Sequence, residues 1–256
     1  MKFRNIIIVV FIMLLSTTYY SCSKLNSING NGHVLTEERS LVNFDQINNE
    51  GQFNVYITYD TIYQAIVEAE TNLIPYIRTI VNGNTLRIDS RENLRPGMPI
   101  NIYIKTPDVK YIELSGSGTI VCDSVYGDNV GATISGSGSI EASLYGALAD
   151  LDISGSGNMI LDVESQMTYC KISGSGDMYV AGYSPEGNFN ISGSGNINSF
   201  EFYQDKLDAK ISGSGNMYVN VADFLTAKIS GSGSVFYIGD PSIDVSITGS
   251  GSVIKE

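Results

Sequence analysis

A serine–glycine tetrapeptide recurs through the second half of the chain and is the first feature whose residues could do chemistry. Glycine-rich turns can cradle phosphate groups, but a dinucleotide fingerprint needs a further glycine three places on. Ile160, Tyr179 and Tyr218 occupy that place in three of the repeats, and the chain has no Gly-Lys-Ser/Thr sequence for a P-loop. The tetrapeptide therefore indicates a structural turn. It begins at Ser115, Ser135, Ser154, Ser173, Ser192, Ser212, Ser230 and, as Thr-Gly-Ser-Gly, at Thr248.

Carboxylates are the second set of residues that could carry a reaction. Glycoside hydrolysis needs two acids about 5–9.5 Å apart. The most regular pair is Asp123 and Asp162, which the repeat spacing places two turns apart with Ser143 between them. That separation is close to 10 Å at a strand spacing of about 4.8 Å. We therefore predict no catalytic residue, and keep a carbohydrate-active enzyme, either a polysaccharide lyase or a hydrolase, as the alternative function.

The residue inventory gives little support to metal or cofactor chemistry. His33 is the only histidine, so a multi-histidine metal site and a Ser/His/Asp triad within the repeats are excluded. Calcium-binding β-rolls place Asp beside paired glycines in every turn, whereas only Asp177 follows a tetrapeptide here. We predict neither a metal nor a cofactor. The formal charge of −12 also predicts no nucleic-acid binding, because phosphate contacts need a basic surface.

The regular spacing of the tetrapeptides predicts the element that positions all these residues. Successive repeats start 18 to 20 residues apart, a period typical of stacked solenoid turns. We call the residue immediately before each tetrapeptide the core position. It is apolar in all eight units, and so are the residues two places before it and six places after it. Polar residues alternate with these apolar ones. Alternation with period 2 places one set inside and the other outside. We predict an all-β fold, a single-stranded parallel β-helix with coils of about 19 residues, over residues 111–256.

Residues 33–110 precede the repeats and predict an irregular β part. Phe53 to Ile57 and Ile100 to Ile104 alternate as strands do, and Asn82-Gly83 is typical of a tight hairpin turn. This region could form further coils of the same helix or the cap that a solenoid end requires. Cys122 and Cys170 fall at inward positions of different columns, so we predict two buried free thiols rather than a disulfide.

The N-terminus reads as a targeting segment. Basic residues precede an apolar run from Ile6 to Leu15 that is too short to span a bilayer, and Cys22 follows it. The arrangement resembles a bacterial lipoprotein processing site, which implies a signal peptide over 1–22 and acylation of Cys22, so that the mature protein has a membrane as a partner through its lipid anchor. Residues 23–32 are then a flexible tether. We expect a cell-envelope protein, anchored in the outer membrane and facing either the periplasm or the exterior.

One outward column carries the candidate binding residues. It lies seven residues after the core position, where exposed aromatic rings could stack on sugars or dock a protein. We predict that Tyr179, Tyr218 and Phe236 form part of a face that binds a glycan or an envelope protein; the alternative is a stacked ladder that only stabilises neighbouring coils. The column comprises Val121, Glu141, Ile160, Tyr179, Asn198, Tyr218, Phe236 and Ile254.

The last repeat runs almost to Glu256, and its strand edges would lie uncovered. Either the charged pair Lys255 and Glu256 protects this edge, or two molecules stack end to end as a homodimer.

The repeat Ile-Ser-Gly-Ser-Gly-Asn-Met/Ile, together with Val42 to Ile47 and Phe53 to Ile57, resembles the bacterial exported family called putative auto-transporter adhesin, head GIN domain. The resemblance covers about residues 35–254. It implies a right-handed single-stranded β-helix in an envelope protein, and it implies no catalytic residues. The function expected is a non-enzymatic envelope lipoprotein that acts as an adhesin or binding scaffold, with a purely structural envelope component as a further alternative.

Overall fold

The computed structural model describes residues 27–256, which form β-strands and one 3-10 turn at Ile74–Tyr76, with no α-helix in that range. The strands are β1 (Ser27–Asn29), β2 (Val34–Ser40), β3 (Gln46–Asn49), β4 (Asn54–Tyr59), β5 (Gln64–Glu70), β6 (Ile77–Asn82), β7 (Thr85–Ser90), β8 (Asn93–Arg95), β9 (Asn101–Thr106), β10 (Tyr111–Leu114), β11 (Thr119–Ile134), β12 (Ser139–Ile153), β13 (Asn158–Glu164), β14 (Met167–Ile172), β15 (Asp177–Gly193), β16 (Asn196–Gly213), β17 (Met217–Gly231), β18 (Ser234–Ile238), β19 (Ser242–Gly249) and β20 (Ser252–Lys255).

The repeats form a β-solenoid of about eight turns, as the period predicted. Each turn contributes one strand segment after its tetrapeptide, which we call the first wall, and one segment before the next tetrapeptide, which we call the second wall. In one turn these are the separate strands β13 and β14, and in the next they are the two halves of β15. All pairing between turns is parallel and keeps equivalent repeat positions opposite one another, as Ile153, Ile172 and Ile191 show.

The interior is a set of files of buried apolar side chains that run along the solenoid. The predicted core positions are buried in the first seven repeats, where Ile134, Ile153 and Ile172 have no exposed surface, but they are exposed or half-buried in the last repeat. Cys122 and Cys170 are free and buried in separate files, as predicted. An aliphatic side chain stabilises the fold by roughly 1.5–3 kcal/mol when it is fully buried. The turns above and below complete that burial, so each turn depends on its neighbours for its stability.

The glycines of the tetrapeptide stack closely on those of the preceding turn. A Cβ on Gly213, whose φ is +138°, would lie 2.2 Å from the carbonyl oxygen of Gly193. A Cβ on Gly215 would lie 2.0 Å from the carbonyl oxygen of Gly195. The serine Ser214 between them is exposed. The closely stacked glycines and the exposed serine continue the period-2 alternation of the strands through the tetrapeptide.

The N-terminal strands extend both walls and then reverse direction. In the second wall β10 pairs with β3 and β3 with β7, and in the first wall β11 pairs with β4 and β4 with β9, all in parallel. Beyond these, β6 pairs antiparallel with β7, while β5 pairs antiparallel with β9 and with β2. The first end of the solenoid is therefore closed by antiparallel strands.

Residues 27–32 differ from the flexible tether expected over 23–32. Ser27–Asn29 pairs in parallel with Asn93–Arg95, and the Gly30 amide donates to the carbonyl oxygen of Arg95 over 3.0 Å. The predicted signal peptide and the predicted lipidation site Cys22 lie outside the described residues. No helix within residues 27–256 is long and apolar enough to cross a membrane.

Candidate functional site

The predicted outward column is a continuous file on the first wall. Its eight members pair in order from Val121 to Ile254, one per turn. Two residues of the N-terminal strands extend the file, because Tyr56 pairs with Val121 and Tyr103 pairs with Tyr56. The file runs along the axis of the solenoid, so its side chains meet neighbours from adjacent turns.

A shallow groove of about 420 Å³ interrupts this file between two tyrosines. Tyr179 and Tyr218 lie two turns apart, and Asn198 occupies the turn between them. Tyr179 is 48% exposed. We call this the aromatic groove, lined by Ile160, Tyr179, Ala181, Asn198, Phe200, Glu201 and Tyr218 among others.

A bulge shapes one side of the aromatic groove. In the pairing of β16 with β17, the next turn, the register shifts between Ser199 and Tyr203. This shift leaves Phe200 and Glu201 outside the regular ladder. Two hydrogen bonds hold this bulge: the Ser199 hydroxyl donates to the carbonyl oxygen of Tyr218 over 2.8 Å, and the Asn220 amide nitrogen donates to the carbonyl oxygen of Phe200 over 3.1 Å. The bulge therefore presents an aromatic ring and a carboxylate at the groove.

The third predicted residue, Phe236, supports the groove and does not line it. Its ring stacks on Tyr218 with centroids 4.9 Å apart and an interplanar angle of 8°. The ring of Phe200 contacts Tyr218 edge-on at 5.7 Å. Tyr218 is thus held by two aromatic neighbours, which restrict the rotamers that its ring can adopt.

An acidic groove of about 390 Å³ continues from the aromatic groove along the same wall and shares Ile160 with it. Its acids are Asp123, Asp162 and Glu141, and all three are exposed. Asp162 pairs with Ser143 as predicted, and the register breaks beside Asp123. Glu141 was predicted only as a member of the outward column. No group of three His, Cys, Asp or Glu side chains within residues 27–256 could hold a metal ion.

Sequence reasoning missed a second aromatic file on the first wall. Tyr126 pairs with Tyr145 and Tyr183 with Tyr203, with Glu164 in the turn between the two pairs. Tyr126 and Tyr145 stack with centroids 4.9 Å apart. The spacing of these tyrosines, at multiples of about one repeat, was a signal that could have revealed them.

Burial raises the pKa of the Cys170 thiol well above its ordinary value, and two further groups in the walls are likewise unsuited to reaction at neutral pH. Burial raises the pKa of the Cys122 thiol to about 12, against one hydrogen bond to Ser124 that lowers it. Burial, followed by the nearby Asp150 carboxylate, raises the pKa of Tyr111 to about 12. Neither group provides a nucleophile, because the thiolate and the phenolate are the reactive forms.

Solved structures of other proteins share this fold. A protein from Parabacteroides distasonis described as a putative lipid binding protein is 30% identical over 90% of this chain and 100% of that chain, with a TM-score of 0.84. Two proteins described as putative adhesins, from P. distasonis and Parabacteroides merdae, are 24% and 21% identical over 90% of this chain and 100% and 99% of theirs, with TM-scores of 0.86 and 0.85. At those identities the similarity shows the fold alone.

The comparison with curated proteins found no match. The family model described as putative auto-transporter adhesin, head GIN domain, matches residues 43–241, a range that begins just before β3 and ends just after β18. This chain therefore belongs to that family.

Proposed function

We propose that the protein is a non-enzymatic binding protein of the cell envelope and that its aromatic groove binds a sugar ring of a glycan. The observation that carries the proposal is the placement of Tyr179 and Tyr218 two turns apart with a small polar residue, Asn198, between them. Neighbouring turns lie about 4.8 Å apart, so the two tyrosines are separated by roughly 10 Å.

That separation suits a ring inserted between two side chains. A ring in van der Waals contact with both tyrosines needs about 7–8 Å, since carbon atoms meet at about 3.5–4.0 Å. The amide of Asn198 offers two donors and one acceptor oxygen to sugar hydroxyls, and the Glu201 carboxylate at the groove is a further acceptor. The long wall, with the acidic groove continuing from the aromatic one, suits an extended polymer lying along the solenoid.

The adhesin-like names of the family and of the similar structures support binding without catalysis. Export by the predicted signal peptide and anchoring through an acyl group on Cys22 in the outer membrane are the localisation we propose. A glycan-binding wall held on such an anchor would face the periplasm or the cell exterior, where polysaccharides are found.

The competing function, a carbohydrate-active enzyme, would use the acidic groove. Glu141 and Asp162 are diagonal neighbours in adjacent turns. Such residues lie about 7–8 Å apart, a separation that an inverting hydrolase could use. A catalytic acid is normally buried in an apolar pocket that raises its pKa, whereas both of these side chains are exposed. Hydrolysis of a polysaccharide that stops in Glu141→Gln would support the enzyme.

A glycan array probed with the purified protein tests the proposal. We expect Tyr179→Ala/Tyr218→Ala to weaken binding about tenfold or more, because each aromatic contact contributes roughly 0.5–1.5 kcal/mol beyond its buried area. Tyr203→Ala is the matched control: it removes a tyrosine that is 61% exposed on the same wall but outside the groove. Adding Phe236→Ala should weaken binding further through the position of Tyr218.

Equal glycan binding by the wild type and the triple alanine variant would overturn the proposal. Binding only to an envelope protein or to a lipid, as the name of the 30% identical relative would suggest, would also overturn the glycan assignment.

A further inference from the structure

A third groove, of about 400 Å³, lies on the outer face of the second wall, near the last turns of the solenoid. It is built from two neighbouring files of outward side chains. One file contains Asn190, Lys210 and Lys228 in successive turns, and the other contains the tetrapeptide residues Ser212 and Ser230. Two ammonium groups one turn apart, beside a row of hydroxyls, form a surface rich in hydrogen-bond donors.

The charge of Lys228 distinguishes this groove from the rest of the repeats. Between Lys171 and Lys255 the other four lysines each have a carboxylate within 4 Å; for Lys210 the partner is Asp208 at 2.7 Å. Lys228 is exposed and has no carboxylate within that distance among residues 27–256. The single carboxylate on Lys210 leaves donors of its ammonium group free, because an ammonium has three.

We propose that this groove binds the carboxylate or sulfate groups of an acidic polysaccharide. Charge complementarity supports an anionic ligand, and the hydroxyl file supports a partner that offers many hydrogen-bonding groups along its length. Neighbouring turns bring Lys210 and Lys228 to about 4.8 Å from each other along the solenoid, so successive charged groups of one polymer chain can meet successive lysines. The site lies on the second wall, whereas the aromatic groove lies on the first, and the two share no residue.

An extended polymer fits this surface better than an anionic membrane does. The chain carries a formal charge of −12, and a planar anionic bilayer would bring many of its acids within a Debye length of about 8–10 Å. A single polysaccharide chain meets only the groove. Asp208 opposes the ligand there, because it competes for the ammonium group of Lys210.

Binding of polygalacturonate, a polymer of uronic acids, to the purified protein at low ionic strength tests the proposal. We expect binding that weakens as salt is added. Lys228→Gln should lower the affinity about tenfold, the effect of losing one hydrogen bond to a charged group. Asp208→Asn should raise the affinity, since it frees Lys210. Lys171→Gln is the matched control, because Lys171 is in the same file, outside the groove and paired with Asp152 at 2.6 Å.

The same binding measurement with neutral dextran and with phosphatidylglycerol vesicles distinguishes binding of an acidic polysaccharide from binding of a neutral glycan and from binding of an anionic membrane. The Lys228 and Asp208 substitutions should leave any dextran binding unchanged, since that measurement reports the aromatic groove. The proposal is overturned if polygalacturonate does not bind, if Lys228→Gln binds it as the wild type does, or if only the vesicles respond to these substitutions.

Discussion

Glu70 shows how one carboxylate closes the N-terminal end of the solenoid. Its side chain is only 1% exposed and accepts hydrogen bonds from the amides of Gly32, Gly97 and Met98 over 2.6, 2.7 and 3.3 Å. These bonds, the one from Gly32 foremost, hold the pKa of Glu70 below its ordinary value of 4.5 despite its burial. The carboxylate thereby ties two loops to the end of β5.

The direction of this pKa shift predicts a pH dependence of stability. A carboxyl group whose pKa is lowered by folding stabilises the protein above its unfolded pKa, and the contribution is lost as the pH falls through the folded pKa. Glu70→Gln should therefore be less stable than the wild type at pH 7, and the difference should shrink below about pH 4.5. Urea unfolding from pH 7 to pH 3 measures it, with the exposed Glu201→Gln as control. A constant difference across that range would contradict the assignment.

Gln204 is a buried polar residue that the fold does not explain. Its side-chain oxygen and nitrogen have no hydrogen-bond partner among residues 27–256, and the next residue in its file is the buried Val221. Because an unsatisfied buried polar group costs about 1–3 kcal/mol, we expect Gln204→Val to raise the free energy of unfolding by about 1 kcal/mol. Thermal unfolding measures this change, and a lower melting temperature would show that the amide is hydrogen-bonded in solution.

At the scale of the element, an amide ladder runs beside the glycines of the tetrapeptides. The side-chain oxygen of Asp177 accepts from the backbone amide of Asn196 over 3.0 Å, and the oxygen of Asn196 accepts from the backbone amide of Asn216 over 3.1 Å. The series continues to Ser234, whose amide donates to Asn216 over 3.0 Å. The ladder bonds each turn to the next where the chain leaves the second wall for the first.

The close stacking of the glycines predicts an asymmetric response within one tetrapeptide. Gly213→Ala should destabilise the protein by about 3 kcal/mol, because it combines an unfavourable positive φ with a backbone shift to relieve the overlap with Gly193. Ser214→Ala, one residue on and exposed, should change the free energy of unfolding by less than about 0.5 kcal/mol. Equal urea midpoints for the two variants would contradict the stacking.

At the scale of the whole molecule, the two ends of the solenoid differ. Antiparallel strands close the first end, whereas β19 at the other end pairs with β17 alone among the strands of residues 27–256. Its core-file residues are therefore exposed, and Ile247, whose counterparts in earlier turns are buried, is 40% exposed. Lys255 forms an ion pair with Asp240, so its charge lies beside this end.

The exposed apolar residues make the expected end-to-end homodimer testable. We expect sedimentation velocity to show a dimer whose fraction rises with concentration and which Ile247→Glu abolishes, because a charge would be buried between the paired edges. Ile160→Glu, on the wall away from this end, is the control. A monomer at every concentration would show that charged residues such as Lys255 suffice to protect the edge.

The sequence by itself determined the solenoid, because every turn repeats the same inward apolar and outward polar positions and a parallel stack needs no further information to align them. It also located Tyr179 and Tyr218 on one file. It could not locate the aromatic groove as a cavity, since the bulge at Phe200 and Glu201 arises from a mismatch between neighbouring turns and not from any local pattern.

Only the tertiary structure decided how the ends and surfaces differ. The strand reversal at β5 and β6, and the pairing of Ser27–Asn29 with β8, join segments distant in sequence that share no repeat position. The grooves and the Tyr126–Tyr145 file likewise depend on which side chains adjacent turns bring together. The sequence period predicts the positions that all turns share. A groove forms where the side chains or the strand pairing of one turn differ from those of its neighbours, and packing between the turns sets its size.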